Sequence, residues 1–189
     1  MTEWSYRRRT MRHYDQSATV YDIQYYEEQE AKTKAALTDF TLERENIILD
    51  MGCGTGLLFP HIADRVKLVV GLDVSNSIIK QAKKRTKEYS NAALIQADAD
   101  YMPFSKETFD VAFAITLLQN TPRSNRTLDE MKRVTKQTAI MVVTGLRKAF
   151  SRKKFAQLLR EARLETKALR SDENLKDYVA VCVKSRRKP

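Results

Sequence analysis

The residues of this chain best placed to do chemistry are two carboxylates that close apolar runs and a group of glycines beside the first of them. The run Ile47-Ile48-Leu49-Asp50-Met51-Gly52-Cys53-Gly54-Thr55-Gly56-Leu57-Leu58 joins a buried-strand pattern to a glycine turn and then to a helix start. Gly52, Gly54 and Gly56 lack a Cβ, so the backbone there can turn sharply, take positive φ and let a ligand approach closely. A helix opening near Leu57 would present free N–H groups suited to a carboxylate or a phosphate. Asp50 narrows that choice, because an acid two residues ahead of the first glycine attracts a cation and repels a pyrophosphate. The spacing G-x-G-x-G also departs from the dinucleotide fingerprint G-x-G-x-x-G. A second apolar run, Lys67 to Ser75, carries Asp73 23 positions after Asp50. A carboxylate at a strand's C-terminal end can accept both hydroxyls of a ribose.

These groups require strands alternating with helices, the pattern of a parallel sheet covered on both faces. Strands are predicted at Asn46–Met51, Leu68–Val74, Ala93–Ala97, Val111–Thr116, Ala139–Gly145, Glu165–Ser171 and Tyr178–Lys184. Helices are predicted at Leu57–Arg65, Ser77–Tyr89, Ser124–Lys136 and Ser151–Ala162. In the last, Phe155, Leu158, Leu159 and Ala162 recur at helical spacing, with Ser151 as N-cap. Only Asp172 to Asp177 separates the final two strands, which predicts a hairpin and an antiparallel last strand.

The glycine segment resembles motif I of the class I S-adenosyl-L-methionine (SAM) dependent methyltransferases. Asp73 and the segment Ala93 to Phe104 follow in that family's order. The resemblance implies an α/β, Rossmann-like fold with a seven-stranded, mostly parallel sheet, helices on both faces and an antiparallel last strand. It implies that Asp50 meets the ammonium of SAM, Asp73 its ribose and Asp98 the adenine amino group. It also places Tyr21, Gly52, Cys53, Gly54, Thr55, Gly56, Val74, Ala99 and Ile115 at the cofactor. Taken singly, each acid could be a solvated turn residue or a helix cap.

Ahead of the first strand, Tyr14-Asp15-Gln16-Ser17-Ala18-Thr19-Val20-Tyr21-Asp22 resembles the Y-D-x-x-A-x-x-Y-D opening of the ubiquinone and menaquinone biosynthesis methyltransferases, within the methyltransferase type 11 group. There the segment, with a helix expected at Gln24–Phe40, folds over SAM as a lid. The alternative is a helix packed on the sheet with half-buried tyrosines. We expect one domain over residues 1–189, with 1–40 as lid and 41–189 as core.

After the fourth strand, Gln119 and Asn120 stand where related small-molecule enzymes carry two histidines. They can orient an acceptor but cannot take a proton near neutral pH; they could equally be turn residues. The candidates for catalysis are His13, Tyr14, Asp15, Gln119 and Asn120, with His13 or Asp15 as a base if the lid closes. His61 reads as a helix surface residue, and Cys53 and Cys182 as small buried side chains.

At 189 residues and 42% hydrophobic content the chain can bury one core. No apolar run reaches membrane-spanning length and the arginine-rich start lacks a signal peptide's apolar stretch, so no membrane insertion and a cytoplasmic location are expected. Of the net +10, residues 1–13, 145–170 and 184–189 carry an excess of +14, leaving −4 elsewhere. Such concentration favours an anionic partner, RNA or a ribonucleoprotein, at the basic C-terminal region, or it is a solvated face. The expected activity is methyl transfer from SAM to an undetermined acceptor, a small metabolite or an RNA or protein surface. The alternatives are a SAM-binding scaffold on a ribonucleoprotein without catalysis, and a nicotinamide-dependent dehydrogenase of related fold.

Overall fold

The computed structural model describes residues 3–17, 21–173 and 175–185; the side chains of 13, 14, 16, 17 and 21–25 fall outside the description. Two N-terminal helices, α1 (Glu3–Ser17) and α2 (Tyr21–Ala36), precede an alternating core. The core runs β1 (Ile47–Met51), α3 (Phe59–Ile62), β2 (Leu68–Asp73), α4 (Asn76–Thr86), β3 (Ala92–Gln96) and β4 (Phe109–Ala114). It continues with α5 (Ser124–Val134), β5 (Thr135–Leu146), α6 (Arg152–Glu161), β6 (Leu164–Arg170) and β7 (Asp177–Lys184).

The strands form one seven-stranded sheet in the order β3-β2-β1-β4-β5-β7-β6. Pairings from β3 through β5 are parallel, and β7 runs antiparallel to both its neighbours. This is the predicted Rossmann-like sheet with its antiparallel last strand. Alternation along the strands sends successive side chains to opposite faces. Leu49, Met51, Ala112 and Met141 join Leu128, Met131, Phe155 and Leu159 of α5 and α6 on one face. Ile48, Val69, Phe113 and Val142 join Phe59 and Ile62 of α3 and Ala36 of α2 on the other.

Several boundaries differ from the sequence expectation, most of them by one to three residues. The helix predicted at Leu57–Arg65 is a single turn at Phe59–Ile62 followed by a 3-10 turn at Ala63–Arg65, with Pro60 in its first positions. Proline favours a helix start, so the glycine loop runs on to Leu58 before the helix begins. At the other end of the core, β5 begins at Thr135, four residues before the predicted Ala139, and ends α5 at Val134. Thr135 pairs with Phe109 of β4, and its Oγ1 donates to the Met131 carbonyl at 2.8 Å, closing the last helical turn. The N-terminal helix expected at Gln24–Phe40 begins at Tyr21 and stops at Ala36, while Phe40 packs on Phe113 with ring centroids 6.1 Å apart.

α2 is fastened to the sheet by a buried charge. Lys32 is wholly buried, and its Nζ lies 2.6 Å from Asp177 of β7, 2.7 Å from Glu28 and 3.0 Å from Thr116 Oγ1. Burial pushes the Asp177 carboxyl up, with Lys32 pulling against it. Desolvated charges hold only as a set, since removing one strands the other. No helix among the described residues is long and apolar enough to cross a membrane. Lys32→Met is therefore expected to lower the unfolding free energy by about 3–5 kcal/mol, and the Lys32→Met/Asp177→Leu double variant to recover most of it, as read by urea denaturation.

Candidate functional site

The tips of β1, β2 and β4 meet where the strand order reverses, and the glycine loop closes over them. Gly52 and Cys53 both donate their N–H to the Leu72 carbonyl, at 2.7 and 2.9 Å, which turns the chain back over β2. The turn needs left-handed backbone at Gly52 (φ 69°), Gly54 (54°) and Gly56 (81°). A Cβ on Gly52 would come within 2.9 Å of Leu117, whereas Gly54 has nothing within 4 Å and presents bare backbone to open space. From α4, Arg85 Nη1 reaches the Thr55 carbonyl at 2.5 Å and clamps the loop from behind.

Two cavities flank the loop and share Gly52, Gly54 and Ile115 as walls. The larger, about 760 Å³, is lined by Asp73, Val74, Asp98 and Ala99 on the strand-tip side. Arg7, Thr10, Asn120 and Pro122 line it on the other. The smaller, about 380 Å³, holds Asp50, Cys53 and Thr55, with Gln29 and Thr33 of α2 opposite. The predicted residues thus converge from separate strands on one cleft. Gly56 instead lies behind the loop, facing Ala82, Thr86 and Phe59. The side chains of Tyr21, His13 and Tyr14 fall outside the described residues.

Asp50 is the unusual group. The residue is only 3% exposed, and no described residue hydrogen-bonds to its carboxylate or pairs with it. Burial, with Asp73 adding to it, pushes its carboxyl up to about 7. Such a group asks for a cation, which would restore its charge. Asp73 is better supported: its Oδ2 accepts from Gly54 N at 3.1 Å and its Oδ1 from Ser75 N at 2.9 Å. Burial still moves it above the ordinary value. Each oxygen retains a lone pair, so two further donors can be accepted. Cys53 is kept neutral by burial and by the two acids beside it, which removes it as a nucleophile.

Asp98 has a partner the sequence did not suggest. Arg7 Nε of α1 lies 2.6 Å from Asp98 Oδ2, and its Nη2 lies 2.5 Å from the buried Asp100. Asp100 is itself held by Thr127 Oγ1 at 2.6 Å. Nearer its end, α1 is tied down by Asp15, whose Oδ1 accepts from Ser75 Oγ at 2.5 Å and from Ser77 N at 3.2 Å. Burial works upward on this carboxyl, but those hydrogen bonds and Lys80 bring it below the ordinary range. Asp15 therefore caps the start of α4 and is poorly suited to be the base considered for it. Among the other candidates, Asn120 Nδ2 donates to the Thr116 carbonyl at 2.8 Å and lines the cleft. The Gln119 carbonyl accepts from Tyr6 Oη at 3.2 Å, and its side chain does not line either cavity.

Sequence reasoning also missed Thr116. It follows β4 at φ 56°, a strained conformation for a β-branched residue. Its N–H donates to Thr144 Oγ1 at 2.7 Å, while its hydroxyl donates to Gln29 and accepts from Lys32. The basic C-terminal residues lie elsewhere: none of residues 147–170 lines either cavity, and Arg170 pairs with Asp39 at 2.6 Å.

Known proteins share both sequence and shape with this chain. The family model described as "Methyltransferase domain" matches residues 49–143. A demethylmenaquinone methyltransferase of Bacillus licheniformis is 30% identical over 128 residues, 66% of this chain and 54% of the relative. The chain spans about half the length of the first curated relatives it matches. Among solved structures, the 1,6-didemethyltoxoflavin-N1-methyltransferase of Burkholderia thailandensis, with 1,6-didemethyltoxoflavin and S-adenosylhomocysteine bound, superposes with a TM-score of 0.85 at 12% identity. It covers 98% of this chain and 92% of that one. The methyltransferase of a Haloferax volcanii complex with the Trm112 activator gives 0.80 at 16% identity, covering 92% and 98%.

The Asp50 shift has a testable sign. Because the native state holds that proton more tightly than the unfolded chain, whose aspartates titrate near ~3.9, its stabilising effect is complete below that value and is lost as pH rises through about 7. Urea denaturation of the ligand-free protein should show Asp50→Asn flattening the decline in stability across that window.

Proposed function

The chain belongs to the methyltransferase domain family, and from that membership we propose that it transfers a methyl group from S-adenosyl-L-methionine to a nucleophile reached through the cleft beside α1. The observation that carries the proposal is the buried Asp50 carboxylate, which has no cation beside it among the described residues and lines the cavity under the glycine loop. The lining suits this cofactor in three further respects. Gly54 leaves bare backbone toward the cleft, Asp73 keeps lone pairs for two hydroxyls, and Val74, Ala99 and Ile115 supply apolar walls for a flat ring.

When bound, SAM supplies a methyl group already activated by its sulfonium. Asp50 would hold the ammonium end, Asp73 the ribose and Asp98 with Ala99 the adenine. Arg7 already engages Asp98, so the guanidinium must share that carboxylate with the adenine amine or swing aside. Asn120 and Thr121 form the opposite wall and would orient the acceptor. Positioning in such a cleft can supply roughly 7–11 kcal/mol of the barrier. No imidazole is found among the described lining residues, and Asp15 is engaged by α4. An acceptor with its own lone pair, such as a ring or amino nitrogen, suits this lining better than a hydroxyl that must lose a proton.

The decisive experiment incubates the protein with methyl-labelled SAM and fractionated cell extract and identifies the fraction that gains label. Calorimetry at pH 8 should show SAM binding, weakened about 10–100-fold by Asp50→Asn through loss of a charged contact. Binding by wild type should weaken as pH falls below about 7, where Asp50 takes up its proton. Binding of NAD with no binding of SAM would overturn the proposal.

A further inference from the structure

α1 has two faces with different work. Its inner face is engaged by the protein, through Glu3, Tyr6, Arg7 and Asp15. Its outer face carries Trp4, Arg8 and Arg12 at successive helical turns, with Arg9 beside them. Trp4 is 63% exposed, far beyond what a packed tryptophan shows. Arg8 lies over the Trp4 ring at 5.8 Å from its centroid, and Arg9 over the Tyr6 ring at 5.5 Å. Next to α1, Tyr101 is 59% exposed, with Arg7 at 5.4 Å and Arg126 at 4.8 Å from its ring centroid. The acids that α1 meets, Glu3, Asp98 and Asp100, are all paired with arginine. Arg8, Arg9 and Arg12 have no carboxylate partner among the described residues.

Planar cations alternating with exposed rings match a polymer that is negatively charged along its backbone and carries flat bases. Phosphates pair with the guanidinium groups, and unstacked bases lie on the rings. A membrane surface is a poorer match, because a helix lying in the interface needs a broad apolar face. Here the face opposite the arginines is polar and fastened to the protein. An acidic peptide would meet the charges and leave the rings unused.

We infer that the outer face of α1, with Tyr101 and Arg126 beside it, is a docking surface for single-stranded RNA that brings the acceptor nucleotide to the cleft. The inference rests on the methyl-transfer reading for its purpose, while the docking itself does not depend on it. It also moves the nucleic-acid contact from the basic C-terminal region, where the sequence put it, to the N-terminal helix that walls the cleft through Arg7 and Thr10.

The test measures fluorescence anisotropy of a labelled mixed-sequence single-stranded RNA over a range of salt, beside calorimetry with SAM for every variant. Trp4→Ala is expected to weaken RNA binding about tenfold through loss of a stacked base. Arg8→Gln/Arg12→Gln should make the log–log salt dependence shallower by about 1.4, the share of two phosphate contacts on a single strand. Arg152→Gln/Lys153→Gln on α6 should change RNA affinity less than twofold, and all these variants should bind SAM as wild type does. Unchanged RNA affinity in the α1 variants overturns the inference. So does equal or tighter binding to double-stranded RNA, polyglutamate or phosphatidylserine vesicles. A protein that binds SAM but shows no salt-sensitive RNA binding defeats this inference and leaves methyl transfer standing; one that binds RNA but not SAM does the reverse.

Discussion

A carboxylate buried at the tip of a central strand, with no cation beside it among the described residues, is the constraint around which this molecule is arranged. Asp50 lies between β2 and β4, paired with Gly71 and Phe113, so its backbone is held inside the sheet. An isolated buried charge is costly, and the group responds by holding its proton up to about pH 7. Asp73 stands close enough to oppose its ionisation, which makes the pair a site of concentrated negative potential. The glycine loop, the Leu72 carbonyl that turns it and the Arg85 clamp keep the cavity beside these acids from collapsing onto them.

The parts of this arrangement legible in the sequence are those set by short-range pattern. Apolar runs ending in acids located β1 and β2, and the three glycines located the turn, because only those residues satisfy its left-handed backbone. The hairpin of β6 and β7 followed from the few residues between them. What could not be read came from contacts between distant segments. Arg7 reaches Asp98 and Asp100 across more than ninety positions, and in the sequence it is one of three consecutive arginines with nothing to single it out. Lys32 reads as a solvated helix residue until β7 supplies Asp177. The left-handed Thr116 carries no local signal at all, since its strain is offset by Thr144 of β5 and by Gln29 and Lys32 of α2.

These long-range contacts make the two N-terminal helices unequal. α2 is bound through a charge with no access to solvent, and it forms the far wall of the smaller cavity through Gln29 and Thr33. α1 is bound through Arg7, whose ion pairs run from the part-exposed Asp98 to the buried Asp100, and through the contact of Asp15 with the start of α4. Each helix thus supplies one wall, α2 to the cavity of Asp50 and α1 to that of Asp73 and Asp98.

Because α1 supplies Arg7 and Thr10 to the cavity beside Asp73 and Asp98, a ligand held there and one held on the outer face of α1 would touch the same helix. Any ligand gripping the outside of α1 would, by holding the helix in place, favour the molecule beneath it. By thermodynamic reciprocity, the inner occupant would tighten the outer one to the same degree. A single rod with one face toward each ligand needs no further machinery to make the two binding events cooperative.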